Sequence, residues 1–203
     1  ACKDDIEADL LDKIHKSINP NDLNSFRLEI IKEINDKSWL REAYYQLAKP
    51  YLDVLVGNEL AMQLRVNLSI QMPEDDSSLL SVHADTWSGD SPYEVVVWLP
   101  LVNCFNTKSM YFLPPQAAQS LSEDFKIYAQ GNSEELFNAI KDDVNWMKVN
   151  YGEVVIFHQV FPHGNRVNEE SETRWSMNCR FKSLFSPYKD KKIGEFFEPI
   201  TMR

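Results

Sequence analysis

Three of the chain's four histidines stand in segments that could supply a metal ligand. His83 and Asp85 form a His-Ala-Asp tripeptide at the end of a predicted strand. Because side chains two positions apart on a strand point to the same side, both can reach one ion. An imidazole and a carboxylate suit a borderline ion such as Fe(II). The tripeptide alone is common, so its assignment depends on the rest of the chain.

A further histidine ligand is expected in the second half of the chain. Residues 152–157 read as a turn and a buried strand, which is followed by His158 and then by Phe161-Pro162-His163-Gly164-Asn165. Two imidazoles and one carboxylate form a facial triad, which leaves three coordination positions open. The residues alone leave the choice between His158 and His163 open, and either could instead be a buried histidine with satisfied nitrogens.

Arg174 and Ser176 begin a strand with one polar and one apolar face. The polar face continues with Asn178 and Arg180, and it either meets water or lines a polar cavity. The guanidinium group of an arginine can bind a carboxylate through two parallel hydrogen bonds. A hydroxyl at Ser176 can add a third contact. The proximity of candidate metal ligands therefore favours a cavity that binds a carboxylate.

The elements that must position these residues follow from hydrophobic periodicity. Residues 1–58 repeat apolar side chains at intervals of three and four, which predicts helices, and Pro50 is expected to kink or interrupt the third. A helical insertion is predicted at about 116–142, with its second helix starting at the capping sequence Asn132-Ser133-Glu134-Glu135. Elsewhere the period is two, and strands are predicted at 60–72, 79–82, 93–101, 109–113, 146–149, 153–157 and 174–184.

This order of elements predicts an α+β fold that is mainly antiparallel β. Seven or so strands can form a jelly roll, with the N-terminal helices packed on one sheet. At 203 residues the chain is expected to be a single domain. Within it, 1–58 would be a helical buttress, 59–185 the β core and 186–203 a C-terminal tail.

Composition limits the partners and the compartment. The net charge is -10, and no basic stripe is visible, so a nucleic-acid partner is not expected. No apolar run approaches the ~20 residues of a membrane span, and no export signal is visible, although a leader removed before Ala1 is left open. Three scattered cysteines fit a reducing compartment, and the expected location is cytoplasmic. The oligomeric state is left open.

Together these motifs resemble the non-haem Fe(II)/2-oxoglutarate oxygenases, with the phytanoyl-CoA-hydroxylase-like branch as the nearest group. The resemblance spans about Gln63 to Phe185 and rests on His83-Ala-Asp85, Val97-Trp98-Leu99-Pro100-Leu101, His163-Gly164-Asn165 and Arg174-x-Ser176. The family's fold is a double-stranded β-helix, a cupin-like jelly roll buttressed by helices. The resemblance implies that His83, Asp85 and His163, rather than His158, bind iron, and that Arg174 and Ser176 bind 2-oxoglutarate.

The resemblance also bears on the remainder of the pocket. Gln63, Arg65 and Asn67 match positions that often contact co-substrate or substrate, although a surface role is an equal alternative. The chain departs from the family pattern at 106–110, which lacks the usual glycine-rich lead, and at 112–115, which lacks the common Pro-Gly-Ser-His. These departures change the substrate pocket more than the metal site, so they bear mainly on which substrate is bound.

The implied reaction couples oxidative decarboxylation of 2-oxoglutarate to hydroxylation of a small molecule with O2. Asp85 favours hydroxylation or desaturation, because related halogenases lack this carboxylate. Trp87 and Arg180 would join the polar pocket, which suits a small polar, possibly carbohydrate-derived, substrate. Two alternatives remain: a cupin-like metalloprotein with other chemistry, which would not need Arg174, and a jelly-roll binding module that binds no iron.

Overall fold

A computed structural model describes residues 10–128 and 131–200. Residues 10–13 are helical, and short 3-10 turns follow at Ile14–Lys16 and Pro20–Asp22. The first part of the first predicted helix lies outside the described residues. Two long helices come next: α1 (Leu23–Asn35) and α2 (Leu40–Leu55).

Helix α2 continues through Pro50, so the interruption expected there does not occur. Pro50 lies on the exposed side of the helix, where the carbonyl group that loses its backbone partner can be satisfied by water. The helix ends where predicted. Gly57 has a φ of 113° and its N–H donates to the carbonyl of Leu52 at 3.2 Å, which closes the last turn.

Nine strands form two antiparallel sheets in the described residues. The strands are β1 (Leu60–Gln63), β2 (Asn67–Gln71), β3 (Glu94–Pro100), β4 (Tyr111–Phe112), β5 (Asn145–Trp146), β6 (Val155–His158), β7 (His163–Gly164), β8 (Arg174–Ser183) and β9 (Phe197–Pro199). The large sheet has the order β6-β3-β8-β1-β9, with β2 also paired to β8, and the small sheet has the order β5-β4-β7. The prediction of an α+β, mainly antiparallel fold is confirmed.

Strand β8 is the centre of the large sheet. One edge pairs with β3 along its length, so that Trp98 lies opposite Asn178. The other edge pairs with β2 over its first half and with β1 over its second half. Because paired residues on neighbouring strands point to the same side, the polar face of β8 continues onto β2, while β3 adds Val96 and Trp98 to that side.

The N-terminal helices cover the apolar face of the large sheet, as expected. Phe26 of α1 meets Trp175 edge to face at 6.1 Å, and the Tyr44 hydroxyl of α2 donates to the carbonyl of Val97 at 2.9 Å. Each large apolar side chain buried in this layer stabilises the fold by ~1.5–3 kcal/mol. The β8 side chains predicted to face the core are all buried: Trp175, Met177, Cys179 and Phe181.

The predicted helical insertion is present and packs on the small sheet. It contains α3 (Pro115–Glu123), α4 (Phe125–Tyr128) and α5 (Ser133–Ile140). The Asn132 side chain accepts hydrogen bonds from the N–H groups of Glu134 and Glu135, and the Glu135 carboxylate accepts one from the Asn132 N–H, which confirms the capping box. Leu121 and Leu136 join Tyr111 in a second apolar cluster.

Two predicted strands differ in the structure. The single strand expected at 60–72 is broken by a bend, because the Asn35 side chain accepts from the Val66 N–H at 2.8 Å and donates to the Val66 carbonyl at 3.0 Å. The segment 79–82 is a loop, not a strand.

In the region expected to be a tail, β9 pairs with β1 and extends the sheet. No helix among the described residues is long and apolar enough to cross a membrane.

Candidate metal centre

A cavity of about 300 Å³ lies between the polar face of the large sheet and the small sheet. Its walls come from β2, β3, β6 and β8 on one side and from β7 and the loop 78–85 on the other. The polar face of β8 therefore lines a cavity, which confirms the second of the two alternatives left by the sequence.

Three candidate metal ligands meet in this cavity. One donor atom from each of His83, Asp85 and His163 lies within 4.8 Å of the others. The segments are held together by reciprocal backbone hydrogen bonds between His83 and His163, at 2.9 and 2.8 Å. Asp85 begins a 3-10 turn at Asp85–Ser88 and does not lie on a strand. The extended segment therefore ends before Asp85: His83 forms an isolated antiparallel bridge with His163, Ala84 is extended, and the side chains of His83 and Asp85 face the same space as predicted.

Backbone carbonyl groups set the tautomers of both imidazoles. Nδ1 of His83 lies 2.8 Å from the Ser81 carbonyl, and Nδ1 of His163 lies 2.9 Å from the Phe161 carbonyl. Since a carbonyl oxygen only accepts, each Nδ1 carries a proton. In the neutral rings, the two Nε2 atoms consequently present lone pairs, which is the form in which histidine binds a metal.

Burial keeps His163 in that neutral form. Loss of solvent, followed by repulsion from His83, lowers the pKa of His163 to about 4. A proton therefore does not compete for this ligand near neutral pH. The two rings lie 4.3 Å apart between centroids, so one ion can be reached by both.

Asp85 is held by an arginine from β8. Nη2 of Arg180 lies 3.1 Å from Oδ1 of Asp85, and both side chains are largely buried. The same Oδ1 is 3.7 Å from Nε2 of His83. Because Arg180 engages one carboxylate oxygen, Oδ2 remains as the second potential donor.

Arg174 is a buried cation with an incomplete set of partners. One Nη atom donates to the Ser109 carbonyl and the other to the Ser69 hydroxyl, both at 3.0 Å, while Nε has no partner. Burial lowers the pKa of Arg174 to about 10, so it is charged at neutral pH. Among residues 10–128 and 131–200, no carboxylate pairs with it. A buried, unpaired charge is costly, and an anionic ligand would remove that cost.

The other predicted pocket residues divide into two groups. Ser176 and Asn67 line the cavity, and the Asn67 amide donates to Asn178 at 3.0 Å. Gln63 is buried behind Asn67 and does not line the cavity. Arg65 is exposed in the bend between β1 and β2, so its expected pocket role is not supported.

Trp87 and His158 lie away from the cavity lining. Trp87 is 41% exposed and packs on Phe125, with ring centroids 4.8 Å apart. His158 ends β6, and its Nδ1 accepts from the Val160 N–H at 3.3 Å. It lines a separate surface cavity with Leu55 and Tyr93. The structure brings His163, and not His158, to His83 and Asp85.

Sequence reasoning missed several residues of this region. Ser69 shares a strand face with Asn67 and was not assigned to the site, although alternation could have identified it, whereas Asn178 lines the cavity with the polar face of β8 as expected. Gln159 is fully buried and does not line the cavity, and it belongs to no periodic pattern that would mark it. Asn165 lines the cavity and belongs to the quoted motif His163-Gly164-Asn165, but the motif assigned it no role.

Comparisons with known proteins found structural neighbours only. No protein-family profile matches the sequence, and no curated protein matches it. Among solved structures, the non-haem monooxygenase ThoJ in complex with nickel is 15% identical, covers 82% of this chain and 61% of its own, and has a TM-score of 0.58. HygX from Streptomyces hygroscopicus, with nickel and 2-oxoglutarate bound, is 13% identical, covers 87% and 82%, and has a TM-score of 0.57.

The chain has the fold of these proteins. A third neighbour is SnoN, a non-haem α-ketoglutarate-dependent epimerase from nogalamycin biosynthesis, with 16% identity, 75% and 60% coverage and a TM-score of 0.50. HygX has also been solved with iron bound. The chain spans about three fifths of the length of ThoJ and of SnoN. At these identities the likeness establishes the architecture, while the chemistry depends on the residues in the cavity.

Proposed function

We propose that the protein is an Fe(II)- and 2-oxoglutarate-dependent oxygenase that hydroxylates a small polar substrate. His83, Asp85 and His163 are the metal ligands in this proposal. The observation that carries it is the combination of converging ligands and the unpaired cation Arg174 in one cavity. A site that only bound a metal would have no use for a buried arginine that lacks an anionic partner.

The donor set of the cavity fits both groups. Two neutral imidazoles and one carboxylate are the ligands of non-haem iron, and they leave room for a chelating co-substrate. Arg174 binds the far carboxylate of 2-oxoglutarate, and the Ser176 hydroxyl adds a contact to it. Bound iron with 2-oxoglutarate and O2 supplies the oxidant that removes hydrogen from a substrate carbon, with release of succinate and carbon dioxide.

The protein's own part in the reaction is binding and orientation. The two backbone carbonyls hold the imidazoles, Arg180 holds Asp85, and Arg174 sets the direction of the co-substrate. Because Asp85 occupies the carboxylate position of the triad, hydroxylation or desaturation is favoured over halogenation. HygX and SnoN, which share the fold, are named with 2-oxoglutarate or as dependent on it, which supports the choice of co-substrate.

The substrate and the finer classification belong to the same proposal. Asn67, Asn178 and Arg180 give the cavity polar donors and acceptors, which suit a hydroxylated, carbohydrate-derived molecule. We also propose that the two facing sheets form a double-stranded β-helix and that the chain belongs to the phytanoyl-CoA-hydroxylase-like branch. We further propose that the chain forms a single domain and that its location is cytoplasmic.

Turnover of 2-oxoglutarate tests the proposal. Protein reconstituted with Fe(II) is exposed to O2, and succinate is measured by mass spectrometry without added substrate. Slow, iron-dependent conversion of 2-oxoglutarate to succinate is expected in the wild type and not in Asp85→Ala. Failure of the iron-loaded wild type to form succinate would contradict the proposal. Equal turnover in Arg174→Ala would contradict the assignment of Arg174 to the co-substrate.

A further inference from the structure

We infer that Gln159 and Glu94 are positioning residues that hold the candidate ligand Asp85 in its binding orientation through Arg180. The inference rests on the proposed function, because it concerns the same metal centre. None of the three supporting side chains is itself a candidate metal ligand. They form a chain of directed hydrogen bonds behind the cavity.

The first contacts in this hydrogen-bonded chain join Arg180 to Asp85 and to Gln159. Its Nη2 lies 3.1 Å from Oδ1 of Asp85, and its Nε donates to Oε1 of Gln159 at 3.2 Å. A guanidinium group is planar, so two contacts made by Nη2 and Nε fix its orientation. Nε also lies 3.7 Å from Oδ2 of Asp90, but the closer contact is the one to Gln159. The position of Asp85 Oδ1 therefore depends in part on where Gln159 places its oxygen.

The second link fixes the orientation of the Gln159 amide. This residue is fully buried, and its Nε2 donates to Oε2 of Glu94 at 3.0 Å and to the Ser91 carbonyl at 2.7 Å. A carboxylate and a carbonyl only accept hydrogen bonds from an amide. A flipped amide would set its oxygen against both of them and its N–H groups against Arg180. Only one orientation satisfies all three neighbours.

The result is an ordered carboxylate before any metal arrives. Arg180 engages Oδ1 of Asp85 and leaves Oδ2 for coordination, with the rotation of the carboxylate already restricted. Partners behind the ligands typically change metal affinity by 10–100-fold when they are removed. Glu94 is fully buried on β3, so the chain of contacts is anchored in the large sheet and not in a loop.

The substitution Gln159→Met tests the inference, because it keeps the length and neutrality of the side chain and removes its hydrogen bonds. Anaerobic Fe(II) titration is expected to show about 10-fold weaker binding than in the wild type. The visible charge-transfer band of the Fe(II)–2-oxoglutarate complex is also expected to shift. Tyr44→Phe is the matched control, since it removes a buried hydrogen bond to Val97 on the opposite face of β3. Its metal affinity and band should equal those of the wild type.

Equal Fe(II) affinity in Gln159→Met and the wild type would overturn the inference. If the methionine variant does not fold, Gln159→Asn replaces it, because this amide is one methylene too short to reach both Glu94 and Arg180. The same 10-fold loss is expected, and wild-type affinity would again overturn the inference. If the wild type itself does not bind Fe(II), the proposed function fails, which is a different outcome from unchanged binding in the variants.

Discussion

Two backbone carbonyls decide which nitrogen of His83 and of His163 is available in the cavity. Each carbonyl belongs to the residue two positions earlier in the chain, so each contact is local and does not require a bound ion. The imidazoles are therefore oriented by the fold itself. An oriented ligand loses less freedom when the metal binds, which favours high affinity.

The choice between His163 and His158 leads to a prediction. His163→Ala should abolish tight Fe(II) binding, because it removes one of the three converging ligands. His158→Ala should retain it, since His158 lies in a separate surface cavity. Metal content after anaerobic reconstitution and gel filtration measures both. Retention of iron in His163→Ala, with loss in His158→Ala, would exchange the two residues.

Burial of His163 makes the metal-free protein sensitive to acid. The imidazole pKa is about 4 in the folded state and ~6.5 when unfolded. Between these values the unfolded state binds more protons, so the free energy of unfolding falls as the pH drops from ~6.5 towards 4. His163→Gln should show a smaller decrease. Urea unfolding at pH 7 and pH 5, with a chelator present, measures this decrease in the free energy of unfolding. An equal decrease in the wild type and in His163→Gln would contradict the lowered pKa of His163.

The sequence predicted single residues best where spacing along one strand or one motif was sufficient. His83, Asp85, His163, Arg174 and Ser176 share one cavity, as their motifs indicated. Alternation over 60–72 predicts that Gln63, Arg65 and Asn67 share one face of a continuous strand. The Asn35 side chain breaks that strand, so alternation failed at Arg65. Long-range side-chain contacts of this kind leave no local signal.

Among the elements, β8 connects the site to the core. Its polar face carries Arg174 and Arg180, and its apolar face packs against the N-terminal helices. Strict alternation made both faces predictable from the sequence. The partners of β8 were not predictable, because β2 and β3 pair with it across long separations in the chain.

The loop 78–82 is the element that alternation misidentified as a strand. Asn165 holds it by accepting from the Leu80 N–H at 2.5 Å and donating to the Ser78 carbonyl at 3.1 Å. Asn165→Ala should lower the free energy of unfolding by ~1–3 kcal/mol and accelerate hydrogen exchange of the Leu80 amide. Asn103→Ala, which removes one exposed hydrogen bond to Tyr151, is the control. Unchanged exchange at Leu80 would show that the loop is held by other contacts.

At the scale of the whole molecule, Lys108 joins three distant parts of the chain. It is fully buried, and its Nζ lies 2.6 Å from both Asp12 and Glu172. Lys108→Met should lower the free energy of unfolding by about 2 kcal/mol, since two charge-assisted contacts are lost. Lys49→Met is the control, because its pair with Asp53 is partly exposed and contributes at most ~1 kcal/mol. Equal effects in chemical denaturation would contradict the role of Lys108.

The general architecture could be predicted from the sequence, because the hydrophobic periodicity changes from helical to alternating near residue 58. The packing of α1 and α2 on one sheet follows from their apolar faces. The sheet order was not accessible, and neither was the added strand β9, whose three residues carry no distinctive pattern. Short strands of this kind are defined by their partners and not by their own composition.

Anaerobic titration of 2-oxoglutarate into the Fe(II)-loaded protein tests the central claim most directly. The wild type should develop a visible charge-transfer band as the co-substrate chelates the metal. Arg174→Ala should bind ~30- to 1000-fold more weakly, because a charge-assisted contact of ~2–4 kcal/mol is lost, and Arg174→Lys should recover only part of it. Fe(II) affinity should change little in either variant. A wild type that gives no band, or an Arg174→Ala variant with unchanged 2-oxoglutarate affinity, would contradict the account.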